Sequence, residues 1–269
     1  MVFTKKEIVA LAISILVMGL ALGFNDKQEV FVFSYFIYNL FIMTLMVGVA
    51  FVVHQLGHKL VAYMSGFKTE YKIWGLQTLR WWPLHERWSI KRTPQFPKVV
   101  TIGKKQITIE SLPVGIILAV LVTVVSNGWA FFLAVGQYNL LIERASRVGK
   151  KFVEVTDFEE AKIALAGPMA NILLMVIASL FNQYGTFDNF ILINSALALF
   201  YMIPVSQLDG AKVLFSSRIM YVFGLLFIIF MVVLIHFISV IPLLIISGLF
   251  AFIGGAVYFY YSYYQGKIY

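Results

Sequence analysis

The chain has 269 residues, 61% of them hydrophobic and 13% charged, with a mean hydropathy of +0.87. Soluble domains carry about 25% charged residues and disordered chains combine low hydrophobicity with high charge, so both classes are excluded. Cysteine is absent, which removes disulfides and cysteine-held metals, and the net charge of +8 falls between apolar runs, so it points to membrane orientation and not to nucleic acid.

The first apolar run, Ile8 to Phe24, follows Lys5 and Lys6. No small-residue cleavage pattern follows it, so it reads as a retained span, with its link, over 1–30. The second run, Val30 to His58, lacks Asp, Glu, Lys and Arg. At about 1.5 Å per residue it exceeds what a hydrocarbon layer of roughly 30 Å requires. The expected helix covers 31–65.

Segment 66–111 differs in kind. It holds nine Lys/Arg, three Glu and four of the five tryptophans. Val99–Ile102 and Gln106–Ile109 alternate as strands do, with Gly103-Lys104-Lys105 as the turn. Trp and Tyr among Lys and Arg suit the headgroup layer, so a β-rich interfacial segment is expected. The apolar run 112–135 is broken by Ser126-Asn127-Gly128, a turn signal. Residues 137–160 are polar and mixed in charge. Apolar runs follow at 161–181, 190–205, 219–240 and 242–263. The core spans with the later motifs fall in 160–217 and a C-terminal helical hairpin in 218–269. No internal repeat divides the chain, and 1–269 reads as a single domain.

Three constellations carry chemistry. His54-Gln55-Leu56-Gly57-His58 places two histidines one helical turn apart, on one face, where they can share a metal. By themselves they also fit interfacial histidines bonded to backbone or headgroups. Leu208-Asp209-Gly210 by itself fits a turn or a helix cap. Gly167-Pro168-Met169-Ala170-Asn171 by itself fits a closely packed helix. His236 reads as structural and His85 as solvated.

Together, and in this order, the three resemble the site-2 protease family of intramembrane zinc metalloproteases. That family carries HExxH on one span, Gly-Pro…Asn on a second and Leu-Asp-Gly at a third. The resemblance covers roughly 45–65 and 160–215, and Leu208 to Leu214 looks like archaeal members in particular. It implies one zinc ion held by His54, His58 and Asp209, with Asn171 orienting a substrate strand or the oxyanion; packing across helices is the other reading of Asn171. It implies a transmembrane protein or peptide as substrate, cleaved as in regulated intramembrane proteolysis. The basic segment 66–111, with Lys5 and Lys6, puts the histidine end of the second span and the N-terminus on the cytoplasmic side of a cell membrane, so the active site implied by the resemblance is expected toward the cytoplasm.

The resemblance requires Asp209 to meet His54 and His58, so the chain from 58 to 161 must begin and end on one face. Run 112–135 is then a re-entrant or interfacial hairpin, not a crossing. A crossing would also put Arg144, Arg147, Lys150 and Lys151 outside. The expected architecture is an α-helical polytopic membrane protein with six transmembrane helices and both termini cytoplasmic.

Gln55 stands where the family has its general-base glutamate. An amide cannot accept that proton, so metal binding should survive while turnover should collapse. An engineered inactive form and a natural pseudoprotease both fit, and the intact ligand set favours the first. A polytopic metal transporter is a further alternative, although it usually needs more than one ligand cluster. Two further departures are Tyr201 and Ser206, where the family often has Asn and Pro.

Overall fold

The computed structural model describes residues 3–26, 28–76, 97–102, 105–109, 111–142, 154–235 and 237–265. Helix α1 (Lys5–Gly23) opens with a capping box in which Thr4 Oγ1 accepts from Glu7 N and Thr4 N donates to Glu7. Helix α2 (Phe33–Met64) runs antiparallel to it, because Gly19 lies against Thr44 and Gly23 against Leu40 while Glu7 reaches Lys59. The small residues let the two backbones approach closely. With 32 residues, α2 is about 48 Å long. None of its residues before Val47 is buried; from there the helix buries Val47, Ala50, Phe51, His54, His58 and Ala62 at one-turn spacing.

Strand β1 (Phe67–Ile73) follows α2 through a turn at Gly66, where φ is +81°. It pairs antiparallel with β4 (Gly136–Ile142), Tyr71 opposite Tyr138. Strands β2 (Lys98–Ile102) and β3 (Lys105–Ile109) pair with each other, as the alternation predicts. The turn expected at 103–105 falls partly outside the described residues. Among the described residues, segment 66–111 is therefore not a self-contained β unit: β1 takes its partner from the stretch expected to be merely polar.

Run 112–135 forms helix α3 (Val114–Val125), a turn with Asn127 and Gly128 at positive φ, and a return over 131–135 without regular structure. Trp74 N donates to Val135 O at 2.9 Å and Gly115 N to Trp74 O at 3.1 Å. Both ends of the excursion thus meet at Trp74, and its tip, Gly128, packs on Asn25.

Helix α4 (Asp157–Leu180) starts with a second capping box, Thr156 with Glu159. Helices α5 (Asp188–Tyr201), α6 (Asp209–Ser216), α7 (Arg218–Leu234) and α8 (Val240–Gln265) complete the described elements. Helix α4 packs along α2 at Gly57, where a Cβ would stand 2.7 Å from Ala166 O. Among the described residues, four helices are long and apolar enough to cross a membrane: α1, α2, α4 and α8, the last over Ile241–Tyr260. The runs at 190–205 and 219–240 yield helices of 14 and 17 residues, shorter than the spans expected of them. Both stop early, at turns near Met202 and Ile235.

Candidate metal centre

His54 and His58 lie on the buried face of α2, one turn apart. Gly167 of α4 faces them so closely that a Cβ there would overlap Nε2 of His58 and stand 2.7 Å from Cε1 of His54. A larger residue would displace both rings. The Gly-Pro motif therefore works first as clearance for the histidines.

Asp209 is the first residue of α6, at the positive end of the helix dipole, which favours a carboxylate. Gly210 lets this end pack against Met202 O at the end of α5. The preceding turn puts Ser206 at φ +56° and is tied down at two points. Trp74 Nε1 donates to Ser206 Oγ at 3.2 Å, and Gln137 Nε2 donates to Gln207 Oε1 at 2.7 Å.

These elements bring three ligand atoms together. His54 Nε2, His58 Nε2 and Asp209 Oδ2 are each 3.1 Å from the other two. Tetrahedral zinc with bonds of about 2.0–2.2 Å needs ligand atoms roughly 3.3–3.5 Å apart. A shift of a few tenths of an ångström meets that requirement.

The hydrogen-bond network assigns the tautomers. His58 Nδ1 is 2.7 Å from Ile163 O. A carbonyl only accepts, so Nδ1 carries the proton. His54 Nδ1 is 2.6 Å from Asn171 Oδ1. The same amide donates through Nδ2 to Ala50 O at 3.2 Å and to Asn194 Oδ1 at 3.0 Å, so its oxygen faces His54 and Nδ1 again donates. A neutral imidazole has one N–H, so both Nε2 atoms present bare lone pairs. Two lone pairs and a carboxylate oxygen converging in a buried site repel one another unless a cation lies among them. Asp209 Oδ1, also buried, has no hydrogen-bond partner among the described residues. His54, His58 and Asp209 thus form a buried cluster able to hold a metal ion.

Aromatic rings wall the cluster. Tyr201 lies 4.5 Å from the His54 ring and Tyr138 4.3 Å from the His58 ring. The Tyr201 hydroxyl accepts from Gly136 N at 3.2 Å. Lys212, one turn beyond Asp209, sits 3.4 Å over the Tyr138 ring and donates to Tyr138 O. Burial pushes the Lys212 ammonium down to about 8, against the pull of Asp209 and Glu160. Burial raises the Tyr138 phenol well above its usual range, and the Asp209 and Glu160 charges add to this. Beside these groups lies a polar cavity of about 380 Å³ with Glu70, Lys72, Glu160 and Lys212 in its lining.

No family model, curated protein or solved structure matches the chain.

The three ligands expected from the resemblance do meet, across 155 residues of chain. Gln55 is buried beside them on α2. Asn171 is buried with both amide N–H groups committed to Ala50 and Asn194, so in this arrangement it orients His54 and has no N–H left for an oxyanion. Nothing in the sequence alone marks Tyr138 or Lys212 as site residues, and the one signal for Asn194 is an amide inside an apolar run. His85, His236 and the basic loop at 144–151 lie outside the described residues.

Proposed function

We propose that the chain is an intramembrane zinc endopeptidase of the site-2 protease type, held inactive by Gln55. The observation that carries this reading is the convergence of two bare imidazole nitrogens and one carboxylate oxygen in a buried cluster. They come from the first and last of the three motifs, and the middle one supplies Gly167 beside the rings and Asn171 on His54 Nδ1. Bound zinc would supply a water of pKa about 7 and polarise a scissile carbonyl. His54 and His58 would be kept in the metal-ready tautomer by Asn171 and Ile163. Gln55 can hydrogen-bond such a water but cannot take its proton.

In this reading α5 and α7 join the four longer helices as spans, both termini are cytoplasmic, and α3 with its return is a re-entrant hairpin. Its two ends meeting at Trp74 support that placement. A transmembrane substrate must unwind before its carbonyls are free, and an extended segment can add to a sheet edge. The outer edge of β1 is sealed: Lys59 Nζ donates to Thr69 O and Tyr71 N donates to Glu7. The outer edge of β4 is also occupied, by the Tyr201 hydroxyl at Gly136 N and Lys212 at Tyr138 O, but it runs beside α6 and the metal ligands, which makes it the docking edge of this reading once those two side chains give way.

Gln55 also favours a second reading, a pseudoprotease that binds membrane proteins without cutting them. Two measurements decide. Purified protein should hold close to one zinc per chain, lost on His54→Ala and on Asp209→Ala. The Gln55→Glu variant should then cleave a membrane-embedded substrate. Absence of zinc overturns the metal reading. A folded, zinc-loaded Gln55→Glu protein that cuts nothing across a panel of transmembrane substrates leaves the pseudoprotease.

A further inference from the structure

We propose that Asn194, on α5, is a positioning residue for the metal centre: it sets which way the Asn171 amide faces, and thereby which His54 nitrogen is free for the ion. The proposal rests on the metal reading above and not on proteolysis.

The oxygen and nitrogen of an asparagine amide are close to isosteric, and only neighbours decide its orientation. If Asn171 turned over, its NH₂ would face His54 Nδ1. Nδ1 would then accept, the ring proton would move to Nε2, and the nitrogen aimed at His58 and Asp209 would no longer be a ligand. Two acceptors oppose that flip, Ala50 O at 3.2 Å and Asn194 Oδ1 at 3.0 Å. In the flipped state both would face the Asn171 oxygen.

Ala50 is a backbone group of α2 itself, one turn before His54. Asn194 brings orientation from a different helix. Its own amide is held because Nδ2 donates to Phe190 O at 2.8 Å, which turns Oδ1 toward Asn171. The sequence of bonds Phe190–Asn194–Asn171–His54 is therefore polar in one direction from end to end. All three side chains are buried, so no water offers a substitute partner. Asn171, one bond removed from the metal ligand, is of the kind of group that affects metal affinity by about 10–100-fold, and Asn194, one bond further out, acts through it.

The test is a double-mutant cycle on zinc affinity, measured by chelator competition on the full-length protein in detergent. Asn194→Leu keeps the shape and removes the acceptor; it should weaken zinc by about 10–100-fold. Asn171→Asp presents an acceptor to His54 in either orientation. In that background Asn194→Leu should cost nothing. The ¹⁵N resonances of the four histidines give an independent readout: the strongly hydrogen-bonded Nδ1–H of His54 should be lost in Asn194→Leu and present in the double variant. Equal zinc affinity of Asn194→Leu and wild type overturns the proposal. So does an equal loss in both backgrounds, which would mark Asn194 as a packing residue only. Wild-type protein that takes up no zinc at all overturns the metal reading first, before any variant is compared.

Discussion

Gly167 sits against the edge of His58 with no room for a methyl group between them. Gly167→Ala should therefore push both imidazoles off the Asp209 carboxylate. Overpacking of this kind costs about 1–3 kcal/mol, and the ligand triangle should open with it. Zinc titration should show at least a tenfold loss while the protein remains folded. Unchanged affinity would mean that α4 can shift away freely.

Glu7 and Lys59 form a buried ion pair, 2.7 Å apart, that joins α1 to the histidine-bearing end of α2 and to β1. Breaking one half of a buried pair costs about 3–5 kcal/mol, because the other charge is stranded. Glu7→Gln and Lys59→Met should each lower unfolding stability in detergent by that order. The double variant should recover most of the loss. Additive losses would show that the two charges do not depend on each other.

Tyr201 and Lys212 occupy two outward positions of β4, at Gly136 N and Tyr138 O. These are backbone groups that an added strand would use. Tyr201→Phe leaves the Gly136 N–H unpaired and should destabilise the free protein by about 1–3 kcal/mol. It should also bind an extended peptide more tightly than wild type does. If the peptide binds no better, β4 is not the docking edge.

The chain contains no cysteine, so single cysteines report topology without background. Glu70→Cys should react with an impermeant maleimide from the cytoplasmic side only, and Tyr184→Cys, in the α4–α5 loop, from the opposite side only. Ser126→Cys, at the end of α3, should be shielded from both. Labelling of Ser126→Cys from the outside would make run 112–135 a crossing.

Much of the site was legible in the chain itself. The four long apolar helices among the described residues follow from runs with little or no charge, because hydropathy is a local property. The His54/His58 spacing follows from helical period, and the resemblance carried by the three motifs implies that Asp209 meets them. The hairpin at 126–128 follows from Asn-Gly turn chemistry. What tertiary structure alone decided has a different character. The β1–β4 pairing joins residues nearly seventy positions apart, and neither strand carries a signal naming the other. The role of Asn171 depended on Asn194, since an amide has no preferred orientation until its neighbours are in place. The clearance at Gly167 likewise exists only once α4 lies on α2. Helical period and hydropathy act within a few turns of chain, whereas the direction of a hydrogen bond and the space beside a ring are set by atoms from other helices.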